Sequence, residues 1–244
     1  MKIFTSMKIE ALLLLALIIV GSFSCKKSSV SPSKKHVTLV NDSITQNGLT
    51  LIFINKDTAF QLNGDSVRKA YEKTFFIVYP KIMAYFNPNA PKKVTFLMDP
   101  TYDGIAATGD ATTFFDPGNS LDHPKDLNVI THEVTHIVQQ YTKPGMPGYI
   151  TEGIADYSKE KFGVPYGFDG WYIPDYQVGD KYTTGYSVIA RFILWAEAKY
   201  NKPMVQIIDK EMRAGTYDND ATWQELTGST FDQLWDNYTL NPYF

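Results

Sequence analysis

The chain has 244 residues, a net charge of −3, 44% hydrophobic and 14% aromatic residues, and one cysteine. That length suits one domain with a sizeable core. The charge gives no basis for nucleic-acid binding, and one cysteine excludes a disulfide framework. From the N-terminus, Lys2 and Lys8 precede an apolar run from Ala11 to Val20. That run is too short to cross a bilayer and reads as the core of a signal peptide over residues 1–24. Gly21-Ser-Phe-Ser-Cys25 follows, with small residues before the cysteine and Ser22 at the −3 position where Leu is usual. This points to a bacterial lipoprotein, cut before Cys25, exported and anchored in the cell envelope through lipid on that residue, the alternative being an ordinary secretory signal peptide cut near the same place. Residues 25–36, polar and basic with Pro and Ser, read as the anchored cysteine and a flexible tether. Residues 37–244 are then the folded domain, expected to be monomeric.

Val37–Val40 and Leu49–Asn55 have the short apolar runs of strands, with a turn at Asn47-Gly48. Apolar residues at helical spacing predict one long helix from Asp65 to Phe86, stopped by Asn87-Pro88. Val94–Met98 reads as a strand. Asp103 to Phe115 reads as two short strands joined at Gly109-Asp110, and Asp116–Ser120 as loop. A helix is expected from about Lys125 to Tyr141, and Lys143-Pro-Gly-Met-Pro-Gly148 ends it as a turn. A second helix begins near Tyr149 and runs antiparallel to the first. Pro165 to Gly179 is irregular and aromatic-rich, the kind of long ordered loop that lines active sites. Thr183–Tyr200, Pro203–Ala214, Ala221–Leu226 and Phe231–Tyr238 complete the helices, the last with Ser229 as N-cap and Asp232 three residues on. Strands first and helices later predict an α+β domain.

The helix at 125–141 carries His132-Glu-Val-Thr-His136, and the chain has only four histidines. Residues four apart on a helix lie about 40° apart around its axis, so both imidazoles share a face. Two imidazoles so placed can hold one Zn²⁺, and Glu133 can reach a water beside it. Catalytic zinc usually takes a third protein ligand. His36 and His123 have no suitable spacing, so an acid is expected. Glu152 lies in the first turns of the second helix, and Asp156 is one turn beyond on the same face. Glu152 is read as the third ligand and Asp156 as the carboxylate orienting a ligand imidazole, His132 first. The reverse assignment, Asp156 on the metal, is the alternative.

HEVTHIVQQ followed by GYITEGIADYSKEKFG resembles the basic secretory protein family, a branch of the gluzincin-like metallopeptidases. The likeness extends to Lys181-Tyr-Thr-Thr-Gly-Tyr-Ser-Val-Ile-Ala-Arg-Phe192, to Phe231-Asp-Gln-Leu-Trp-Asp-Asn-Tyr238 and to Asp103-Gly-Ile-Ala-Ala-Thr-Gly109, spanning roughly residues 95–240. It implies a zincin-like plan, with a small twisted N-terminal sheet packed on the motif helix, a mainly helical C-terminal part, and substrate along the edge strand. On that plan Ala111–Phe115 is the candidate edge. The family is known as basic, secreted plant proteins, whereas this chain is mildly acidic with a bacterial-type N-terminus. Substrate and biological role are therefore not carried over.

The expected chemistry is zinc-assisted hydrolysis of peptide bonds in a peptide or protein substrate, with Glu133 as general base. The developing oxyanion needs a second donor. Related enzymes take a Tyr or His from downstream, and Tyr186 is the candidate, with Tyr182 and Tyr157 behind it. The competing reading is a zinc-containing but catalytically weak envelope lipoprotein that binds peptides or glycans. A pure binder has no need of Glu133.

Overall fold

The computed structural model describes residues 39–165 and 172–244. Five strands form one sheet: β1 (Asn41–Gln46), β2 (Leu49–Asn55), β3 (Lys93–Met98), β4 (Ala106–Gly109) and β5 (Thr112–Phe115), in the order β1-β2-β3-β5-β4. The inner pairs β2–β3 and β3–β5 are parallel, and the outer pairs are antiparallel hairpins. A parallel pair needs a crossover. Between β2 and β3 it is supplied by α1 (Thr58–Asn63) and α2 (Asp65–Phe86). α2 buries Val67, Tyr71, Phe75, Val78 and Ile82 at helical spacing. Tyr71 packs on Phe115 at 5.2 Å between ring centroids, and Phe75 on Phe96 at 5.6 Å, so alternate inward residues of β3 and β5 meet one stripe of the helix.

α3 (Pro117–Asp122) and α4 (Asn128–Gln139) follow. α4 packs between α2, β4 and the next helix, α5 (Gly148–Phe162). The C-terminal part is helical: α6 (Tyr186–Tyr200), α7 (Met204–Ala214), α8 (Asn219–Thr227) and α9 (Phe231–Leu240). Its core is aromatic, with the Phe192 ring within 6.0 Å of those of Trp195, Trp223, Phe231, Trp235 and Tyr238. The fold is α+β, with the sheet in the N-terminal half and a mostly helical C-terminal part, as the order of elements in the sequence predicts. Among the described residues no helix is long and apolar enough to cross a membrane.

Several local expectations are corrected. The first strand is Asn41–Gln46, not Val37–Val40: Leu39 and Val40 precede it, and residues 37–38 lie outside the described residues. Asn47 (φ 49°) and Gly48 (φ 79°) form a two-residue turn that pairs Gln46 with Leu49, so the strand must end there although it is polar and exposed. The segment at Asp116–Ser120 is not loop. Asp116 caps α3 by accepting from the amides of Gly118 and Asn119, and Pro117 takes the first helical position, where its missing N–H costs nothing. The motif helix is shorter than 125–141, because Gln140 adopts φ 49° and ends it. α6 starts at Tyr186 rather than Thr183. α9 is capped by Thr230 with Gln233 in a reciprocal capping box, not by Ser229 with Asp232. Finally, β5 is not the edge strand: it lies between β3 and β4, and the edge is β4. Of the aromatic stretch 165–179, residues 166–171 lie outside the described residues, and 172–185 carry neither helix nor strand.

Candidate metal centre

α4 buries Ile130, Val134, Ile137 and Val138 completely, which turns His132 and His136 toward the opposite face. That face meets α5, whose Glu152, Asp156 and Lys159 recur at one-turn spacing. The His132 Nε2 and His136 Nε2 atoms lie 3.1 Å apart. Glu152 Oε2 is 3.1 Å from the first and 3.5 Å from the second. Three atoms bound tetrahedrally at about 2.0 Å from one ion lie about 3.3 Å from each other. Among the described residues, His132, His136 and Glu152 are the group of ligand-type side chains able to hold a metal ion together.

The surrounding hydrogen bonds decide what those nitrogens can do. Asp156 Oδ1 lies 2.9 Å from His132 Nδ1 and accepts its proton. Gln139 donates its amide Nε2–H to the Thr151 carbonyl at 2.8 Å, which fixes its Oε1 as the atom 2.7 Å from His136 Nδ1. An amide oxygen only accepts, so His136 Nδ1 carries a proton. With both Nδ1 positions protonated, both neutral rings aim Nε2 lone pairs at the place where the Glu152 oxygen also points. Three acceptors converge without a donor between them. That is the donor set of a borderline cation with N/O ligands, and zinc fits it. Without an ion, a proton takes the place. Burial pushes the His132 imidazole down, but the hydrogen bonds it donates to Asp156 and Glu152 outweigh that and hold the ring up at about 9. Burial has the opposite sign for Glu152 and raises it, but the neighbouring imidazoles, His132 first, pull it down further, to about 2.

The centre opens into a cleft of about 700 Å³ lined by the two histidines, Glu133, Glu152, Tyr186 and the edge strand β4. Glu133 is buried on the β4 side, and its Oε2 accepts from Thr108 Oγ1 at 2.7 Å. Tyr186, the first residue of α6, is 54% exposed and stacks on the His132 ring at 5.9 Å with a 23° interplanar angle. The Glu152 carboxylate, more than burial, pushes its hydroxyl above the usual phenol value, so it remains a donor at neutral pH.

The family profile described as "Peptidase of plants and bacteria" (BSP) matches residues 65–238. The chain belongs to this family. No curated protein matches it. In this BSP chain the sequence-predicted residues His132, Glu133, His136, Glu152, Asp156 and Tyr186 come together around one point. The carboxylate in contact with the Nε2 atoms is that of Glu152, while Asp156 faces the Nδ1 side of His132. The other tyrosines are elsewhere. Tyr157 is fully buried and bonded to Glu197, and Tyr182 packs against Tyr149, Phe231 and Trp235. His123 is the C-cap residue of α3, and His36 lies outside the described residues. Residue reasoning missed Gln139, Lys159 and Thr108. Gln139 had a readable signal, since it follows His136 by three on one helix. Lys159 Nζ sits 3.3 Å from Asp156 Oδ1, also at i+3.

Proposed function

We propose that this BSP-family protein is a zinc metallopeptidase of gluzincin type that hydrolyses peptide bonds with Glu133 as general base. The single observation that carries the reading is the convergence of two imidazole lone pairs and one carboxylate oxygen, 3.1–3.5 Å apart, on a cleft that also holds Glu133. Zinc held by His132, His136 and Glu152 would supply the Lewis acidity that polarises a scissile carbonyl and acidifies water. Glu133 accepts a proton from the attacking water and returns it to the leaving amine. Tyr186 donates its hydroxyl to the carbonyl oxygen as charge builds there. Asp156 and Gln139 hold the two imidazoles in the tautomer that leaves Nε2 free. β4, last in the sheet, offers its unpaired backbone to an extended peptide.

Purified residues 26–244 incubated with a complex peptide mixture, with products read by mass spectrometry, test this. New termini should come from the natural protein and fall by about 10²–10⁴-fold in Glu133→Gln, with zinc retained. Equal cleavage by the two proteins would sink the reading. We further read the protein as exported and held at the bacterial envelope by lipid on Cys25, residues 25–36 being the anchored cysteine and its tether. Cys25→Ser should move it from the membrane to the soluble fraction of an osmotic lysate, and a wild-type protein already soluble would refute the anchor.

A further inference from the structure

Thr108 sits on the edge strand β4, opposite Thr113 of β5, with its hydroxyl turned toward α4. Its Oγ1 has three oxygen neighbours: Glu133 Oε2 at 2.7 Å, Thr113 Oγ1 at 2.9 Å and the Glu133 carbonyl at 3.3 Å. A hydroxyl has one proton to give. The carboxylate oxygen is the nearest of the three and a stronger acceptor than a hydroxyl or an amide carbonyl, and 2.7 Å is an ordinary O–H···O length. Thr108 therefore donates to Glu133 Oε2, and Thr113 donates to Thr108. Glu133 is buried, and a carboxylate oxygen stripped of water needs such a partner.

We propose that Thr108 is a positioning residue for Glu133. This rests on the reading of Glu133 as the proton acceptor. A glutamate carboxylate on its own turns freely about its last torsion. Pinned at Oε2 by a hydroxyl from the sheet edge, it keeps Oε1 as the oxygen that faces the reacting water. The strand proposed to hold the substrate backbone then also holds the base. Substrate and proton acceptor share one rigid reference, and a near-attack geometry depends on that relation.

Thr108→Val removes the hydroxyl at nearly constant volume, and Thr108→Ser keeps it. With a cleaved peptide in hand, Thr108→Val should lower kcat roughly ten- to a hundredfold while KM and zinc content hold, and Thr108→Ser should recover most of the loss. A merely structural threonine would give a different pattern: KM rising or zinc content falling along with the loss of kcat, and no rescue by serine. Either that pattern or an unchanged kcat overturns the proposal. High-resolution structures of the natural protein and Thr108→Val give a reading independent of turnover. The Glu133 carboxylate should hold one orientation in the first and leave it in the second. An unmoved carboxylate overturns the proposal whether or not hydrolysis is seen, whereas absent hydrolysis with a moved carboxylate counts only against the peptidase reading.

Discussion

An imidazole has two nitrogens and, when neutral, one proton. In His132 and His136 that proton is committed to Nδ1, by a carboxylate in one case and an oriented amide in the other. The consequence is measurable as affinity. Asp156→Ala and Gln139→Leu each release one ring, and each should weaken zinc about 10–100-fold in a competition titration while leaving the fold intact by circular dichroism. Affinity unchanged in both would mean that the rings are held by something else. At this scale the sequence was informative where geometry is local. His132, His136, Glu152 and Asp156 are read from spacings of four on two helices, and Gln139 was there to be read in the same way. Thr108 was not. Its contact with Glu133 joins a strand edge to a helix 25 positions away, and no periodicity encodes that.

Between elements, the decisive packing is α5 on α6. Gly153 follows Glu152 and is buried, and a Cβ there would collide with the Ile189 side chain of α6. Absence of a side chain lets the two helices approach and brings Glu152 and Tyr186 to one cleft. Gly153→Ala has the better helix propensity, by about 1 kcal/mol, but overpacking costs about 1–3 kcal/mol. The net expectation is a lower melting temperature together with weaker zinc binding, because α5 must shift. A variant as stable as the natural protein would show that Ile189 yields freely. Long periodic helices such as α2 were readable because one stripe must face a core. The polar edge strand β1 and the short capped helices α1 and α3 were not, because turn geometry and caps fix them rather than hydrophobicity. The edge of the sheet was misassigned for a related reason: strand order depends on the parallel pairing of β3 with β5, which skips β4 in the chain.

For the molecule as a whole, the charges at the centre link folding to protons and, on the zinc reading proposed above, to metal. A ligand bound only by the folded state stabilises it by about 4 kcal/mol at a thousandfold excess over Kd. Chelation should accordingly lower Tm by about 8–16 °C for a chain of this size. In the metal-free protein, His132 is raised from 6.5 to about 9, so its contribution is complete below 6.5 and is lost as pH rises through 9. Glu152 is lowered from 4.5 to about 2, so its contribution is complete above 4.5 and is lost as pH falls through 2. The metal-free Tm should therefore peak between pH 4.5 and 6.5 and decline above it, and zinc should abolish the alkaline decline. A metal-free Tm that rises from pH 6.5 to 9 would contradict the ion pair.

The three side chains able to hold a metal ion lie within residues 132–152, on two adjacent helices joined by the exposed turn around Lys143 and Gly145. Closing so short a loop costs little chain entropy, whereas the sheet must join β2 to β3 across all of α1 and α2. The candidate ligand set is thus complete once α4 and α5 are in place, and none of it comes from α6 to α9.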